Sequence, residues 1–120
     1  VGYFSLRKEI LFAYIFGSQI SGKSNKLSDI DIAVFINRKL VEEKSYRYGY
    51  QAEILSELMR HLKTERIDLV LLNNAPPLLK HRVIYYGELI YCVDESERIN
   101  FQVDTINRYM DYKFLQRKIS

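Results

Sequence analysis

Runs of hydrophobic residues along the chain predict four β-strands. Residues 11–16 form a continuous apolar run that ends at Gly17, as is typical of a buried strand. In residues 30–36 every even-numbered position is apolar, whereas Asp31 lies on the odd-numbered face. The two remaining predicted strands are 66–72 and 88–93.

Apolar residues at helical spacing predict three further elements. Residues 45–63 form an amphipathic helix, with an apolar residue at every fourth position from Tyr50 to Leu62. A second helix is predicted over residues 77–86, because proline stands at its start and glycine just after its end. The terminal helix, from Glu95 to about Lys118, follows from a stripe of five apolar residues: Ile99, Val103, Ile106, Met110 and Phe114.

The alternation of strands and helices predicts an α/β (α+β) fold in which helices cover a sheet. A short helical segment is also expected at residues 5–9, before the first strand. The length fits one domain over residues 1–120.

Composition narrows the classes of function. The net charge of +3 permits an anionic ligand but is too small for the basic surface of a nucleic-acid-binding protein. No charged-then-apolar leader is seen, and no apolar run reaches the ~20 residues that cross a bilayer. Cys92, the one cysteine, has no partner for an internal disulfide, so we expect a cytoplasmic protein.

A glycine–serine pair and two aspartates flank a polar, turn-rich segment. Gly17 lets the backbone approach a ligand with no Cβ in the way, and Ser18 offers a hydroxyl and an N–H to a phosphate. Asp29 and Asp31 point to the same face of a strand, and their oxygens suit Mg²⁺. The same Asp-x-Asp pattern also occurs where the aspartates cap a turn in solvent. The pair alone therefore leaves open both a metal site and a turn cap.

A third aspartate, Asp68, lies within the third predicted strand. A charge in a buried strand is costly unless it is paired or metal-bound. If the strands are neighbours, Asp68 joins Asp29 and Asp31 in a cluster that suits two Mg²⁺ ions and a triphosphate, the two-metal arrangement of phosphoryl and nucleotidyl transfer. The alternative is an ion pair between Asp68 and Arg66 or Lys63.

The motif as a whole resembles the minimal nucleotidyltransferase (MNT) group of the DNA polymerase β-like superfamily. Gly17-Ser18 is followed by ten residues, then Asp29-x-Asp31, and later by Asp68 in a strand. The resemblance extends over nearly the whole chain. It implies the polymerase β-like nucleotidyltransferase fold, a small mixed sheet flanked by helices, with ATP as nucleotide donor and two Mg²⁺ ions as cofactors.

The resemblance also implies a role for each residue of the motif. Gly17 and Ser18 hold the β- and γ-phosphates, and Asp29 and Asp31 bind both metal ions. Asp68 binds the catalytic metal and helps to deprotonate the acceptor hydroxyl.

Short members of the MNT group resemble the antitoxins of HEPN/MNT toxin–antitoxin pairs, which implies transfer of AMP from ATP to a tyrosine of a partner HEPN ribonuclease. A chain of 120 residues leaves little room for an acceptor pocket, which favours an acceptor on a separate protein. Two alternatives stay open. One is a catalytically silent module that neutralises its partner by contact. The other is a small-molecule (aminoglycoside-type) nucleotidyltransferase with a second subunit.

Two basic features are weaker candidates. Many relatives carry a basic residue just before the second glycine of the loop, where this chain has Ser21. Lys23 is a candidate triphosphate contact in its place, or an ordinary solvated lysine. Lys80, His81 and Arg82 suit a triphosphate tail, an acidic partner or plain solvated surface.

Overall fold

The computed structural model describes residues 2–17, 30–42 and 48–119, and a four-stranded mixed sheet lies at its centre. The strand order is β3-β2-β1-β4. β1 pairs antiparallel with β2 and β4, whereas β2 and β3 are parallel. The strands are β1 (Ile10–Phe16), β2 (Ile30–Ile36), β3 (Ile67–Leu71) and β4 (Glu88–Cys92). The predicted fold class and the mixed sheet are confirmed.

Three α-helices occupy the described part of the chain: α1 (Tyr50–Leu62), α2 (Pro77–Tyr86) and α3 (Glu95–Ile119). The predicted bounds of α2 are confirmed at both ends. α1 begins later than expected, because Gly49 before it has a φ of +92°, which is not helical. Residues 43–47 of the predicted helix lie outside the described residues. None of the described helices combines the length and apolar character needed to cross a membrane.

The predicted helix at residues 5–9 is wrong. A short 3-10 helix, Phe4–Leu6, occurs instead, and the backbone becomes extended at Arg7. Ser5 does not cap a helix, since its hydroxyl donates backwards to the carbonyl of Gly2 at 2.8 Å. The polar residues among positions 5–9 therefore belong to a turn that leads into β1.

The two faces of the sheet bury two separate hydrophobic clusters. On one face, even-numbered residues of β2 pack against α1; the main members are Ile32, Val34, Ile36, Tyr50, Ile54 and Leu58. On the other face, strand residues pack against α2 and α3; the buried members are Phe12, Tyr14, Ala33, Leu72, Val83 and Phe101. The alternation predicted for residues 30–36 is therefore the alternation observed.

Helix α3 packs through a side that differs from its apolar stripe. Phe101 and Thr105 are its buried residues, and the Phe101 ring lies 5.4 Å from Phe12 and 5.3 Å from Phe35. The five stripe residues that predicted the helix are 47% to 61% exposed. The helix was correctly predicted, but its sequence pattern does not mark the face that meets the sheet.

A network of ion pairs ties the segment before β1 to α1. The Arg7 guanidinium contacts Glu57 at 2.6 Å and Glu53 at 2.9 Å, and Tyr3 donates to Glu57 at 2.5 Å. Burial raises the pKa of Glu57, but the hydrogen bonds from Arg7 and Tyr3 outweigh this and hold the pKa below its ordinary value. The ionised form of Glu57 is therefore stabilised by folding.

We expect Arg7→Met to lower the free energy of unfolding by about 2 kcal/mol at neutral pH, because it leaves partly buried carboxylates without their cation. The lowered pKa of Glu57 means that this contribution is present at neutral pH and is lost as the pH falls through the folded-state value. Urea unfolding at several pH values checks both points. The control is Arg108→Met, since the pair of Arg108 with Asp104 is solvent-exposed. An equal deficit for Arg7→Met at acidic and neutral pH would contradict this account.

Candidate active site

Strand pairing places two of the predicted aspartates side by side. Asp31 of β2 pairs with Phe16 of β1 on one side and with Asp68 of β3 on the other. Paired residues on adjacent strands project to the same face, with backbones about 4.8 Å apart. Asp31 and Asp68 therefore share one face and one end of the sheet, the end at which β1 stops.

Gly17 completes this end of the sheet. Its φ of +90° is a conformation that favours glycine. A Cβ at this position would overlap a carboxylate oxygen of Asp31 and would lie 3.2 Å from the Asp31 Cγ. The Asp31 carboxylate thus lies in the space that any larger residue would fill. Glycine is required here by both backbone conformation and close approach.

Asp68 is exposed, so the prediction that it lies buried within its strand is wrong. β3 is an edge strand, and its residues alternate between buried Ile67, exposed Asp68 and buried Leu69. The cost of a buried charge therefore does not apply at Asp68. Among the described residues Asp68 forms no ion pair, so the alternative of a bridge to Arg66 or Lys63 is not observed either.

Three other residues of the predicted site, Ser18, Lys23 and Asp29, lie outside the described residues. Their roles stay predictions. Within the described ranges no group of three or more His, Cys, Asp or Glu side chains is placed to hold a metal ion. The part of the predicted cluster that can be seen is the pair Asp31 and Asp68.

The chemistry of this pair fits the metal that the sequence predicts. Both donors are carboxylates, the hard oxygen ligands that Mg²⁺ prefers to soft or nitrogen-rich sites. The Asp31 carboxylate lies against the side-chain-free backbone of Gly17, which holds it at the end of the sheet where β1 stops. The visible residues are thus suited to a divalent cation that carries a phosphate group.

Two of the three basic residues of α2, Lys80 and His81, lie against aromatic rings, whereas Arg82 is exposed. The Lys80 ammonium lies 5.8 Å from the centre of the Phe101 ring. The imidazole of His81 stacks on Tyr109, with ring centres 3.6 Å apart and planes 7° from parallel. Lys80 and His81 therefore help to hold α3 against α2, and Tyr109 packs on α2.

We expect Gly17→Ala to weaken binding of Mg²⁺ with a non-hydrolysable ATP analogue by about tenfold or more. It should also cost about 1–2 kcal/mol of stability, because alanine is strained at positive φ and its Cβ displaces Asp31. Isothermal titration and thermal unfolding measure the two effects. Gly2→Ala is the matched control, since a Cβ there meets nothing within 4 Å. Unchanged nucleotide affinity in Gly17→Ala would contradict the assignment.

Comparison with known proteins identifies the family. The family "Polymerase beta, Nucleotidyltransferase" matches residues 1–96. No curated protein matches the chain.

Two of the similar solved structures are of toxin–antitoxin proteins. One is a toxin–antitoxin with AMP-PNP, 27% identical, with a TM-score of 0.73 over 92% of this chain and 83% of that chain. Another is a tri-AMPylated Shewanella oneidensis HEPN toxin in complex with MNT antitoxin, 24% identical, with a TM-score of 0.68 over 97% of this chain and 84% of that chain. The second likeness shows the fold alone.

The family match includes β1, β2 and β3, and with them Gly17, Asp31 and Asp68. The likeness to a toxin–antitoxin structure agrees with the resemblance seen in the sequence motif. The chain therefore belongs to the polymerase beta nucleotidyltransferase family and is a nucleotidyltransferase.

Proposed function

We propose that this nucleotidyltransferase moves AMP from ATP to a tyrosine hydroxyl of a HEPN-type partner protein and so acts as the antitoxin of a toxin–antitoxin pair. The observation that carries the proposal is the register that sets Asp31 beside both Gly17 and Asp68. Related structures support it, since one is a toxin–antitoxin with AMP-PNP and another contains an AMPylated HEPN toxin.

Each site residue has a distinct task in this reaction. Gly17 and Ser18 would hold the triphosphate, and Lys23 is a further candidate contact. Asp29, Asp31 and Asp68 would hold two Mg²⁺ ions. When bound, these ions would neutralise charge on the triphosphate and lower the pKa of the acceptor hydroxyl. The tyrosine oxygen then forms a bond to the α-phosphorus, and the bond from the α-phosphorus to the bridging oxygen breaks, releasing pyrophosphate.

The position of Asp68 favours an acceptor that comes from outside the chain. The hydroxyl proton has to leave as the new bond forms, and a carboxylate near the acceptor can accept it. Asp68 is exposed on an edge strand, so a tyrosine on the surface of another protein can approach it without entering an enclosed pocket. This supports a protein acceptor over a small molecule.

The experiment is AMP transfer to the protein encoded beside this chain in its genome. Purified chain, labelled ATP, Mg²⁺ and that protein are incubated, and the modified residue is located by mass spectrometry. We expect AMP on a tyrosine. Asp31→Asn should abolish transfer, and Asp68→Asn should slow it by about 10²-fold or more, because each change removes a carboxylate that binds metal or accepts a proton.

The matched control is Glu88→Gln. Glu88 pairs with Ile15, so its carboxylate starts from the same end of the sheet but from the opposite face. The Glu88→Gln variant should transfer AMP at the wild-type rate. If no AMP is transferred and the chain still neutralises its partner, the silent binding module is the correct alternative. If AMP reaches only an aminoglycoside, the small-molecule transferase is correct.

A further inference from the structure

Helix α3 exposes a continuous apolar stripe, called here the α3 seam. Its spacing of four, three, four and four residues places every member within an arc of roughly 80° around the helix, over a length of about 22 Å. All members are 47% to 61% exposed. The α3 seam consists of Ile99, Val103, Ile106, Met110 and Phe114.

The described residues that anchor α3 to its own domain lie outside the seam. Phe101 and Thr105 are buried against the sheet side, and Tyr109 stacks on His81. These anchoring residues lie roughly 140° around the helix from the seam. Residues 110–118 are all exposed, so the helix continues past its last anchor. A row of five large apolar residues in water is unfavourable unless another molecule covers it.

Charge at the C-terminal end of the seam favours an occupant that carries carboxylates. Residues 110–118 carry three cations, Lys113, Arg117 and Lys118, and one carboxylate, Asp111. Two copies packed in parallel through this segment would bring like charges together, so a second copy could cover the seam only in an antiparallel arrangement. An occupant with carboxylates beside an apolar stripe meets both the seam and its cations.

Helix α3 lies on the face of the sheet that carries the carboxylates. Phe101 of α3 contacts Phe35, which lies on the same strand and the same face as Asp31, four residues away. Four residues of strand span roughly 13 Å. Any protein on the seam is held on the carboxylate side of the sheet.

We propose that the α3 seam docks an α-helix of the acceptor protein, one whose apolar stripe is flanked by carboxylates that meet Lys113 and Arg117. The proposal rests on the proposed function in taking the acceptor to be a protein. The repeat of four and three residues is the spacing with which one helix packs along another. An acceptor protein that is bound to the α3 seam stays close to Asp31 and Asp68, so its tyrosine can meet the site repeatedly before the protein dissociates.

The test measures binding of the protein encoded by the adjacent reading frame, by isothermal titration. Val103→Glu and Met110→Glu place a charge in the seam and should weaken binding by about tenfold or more. Leu115→Glu is the matched control. Leu115 is 57% exposed, against 54% for Val103 and 61% for Met110, but it lies on another side of α3. Its affinity should stay within about twofold of wild type, and circular dichroism checks that all three variants fold.

Docking and catalysis fail separately in this design. If both seam variants bind like wild type, or if the wild-type chain does not bind the neighbouring protein, the docking proposal is overturned. It is also overturned if the wild-type chain alone is a dimer that Val103→Glu converts to a monomer. If the seam variants lose binding but wild type transfers no AMP, docking stands and the proposed function fails. If AMP transfer at low acceptor concentration is equal for wild type and Val103→Glu, the function stands and docking fails.

Discussion

The contact between the Asp31 carboxylate and the Cα of Gly17 is the constraint on which this site depends. It requires β2 to pair with β1 in a single register, and that same register brings Asp68 alongside from β3. The hydrophobic core enforces it, because a slip of one residue would turn Ile32 and its neighbours out to the opposite face. Burial of the even-numbered residues thus positions the odd-numbered Asp31 for chemistry.

Local patterns in the sequence were enough to predict much of this arrangement. The alternation in residues 30–36 gave the face of Asp31, and proline and glycine bounded α2. The errors arose where the outcome depends on tertiary neighbours. An apolar run does not reveal that β3 is an edge strand, so Asp68 was expected to be buried and is exposed. In α3 the single ring of Phe101, set between Phe12 and Phe35, decides which side packs, and the longer apolar stripe does not.

Both corrections change the picture of the acceptor. The length of the chain favours a separate acceptor protein only because it leaves little room for an acceptor pocket. The structure replaces this with two positive features: an exposed carboxylate on an open sheet edge and an uncovered apolar stripe on α3. They lie on the same side of the sheet. On this proposal the domain carries out nucleotide chemistry at one end of its sheet and holds its protein acceptor on α3.

The most direct test of the central claim is to locate the metal-bound nucleotide. Mn²⁺ with a non-hydrolysable ATP analogue, added to isotope-labelled protein, broadens NMR signals of nearby nuclei. The account predicts that the amide signals of Gly17, Asp31 and Asp68 broaden first, while those of Ile54 and Leu58, on the opposite face, stay sharp. First broadening at Glu53 and Glu57, a separate pair of carboxylates that both contact Arg7, or no selective broadening at all, would contradict it.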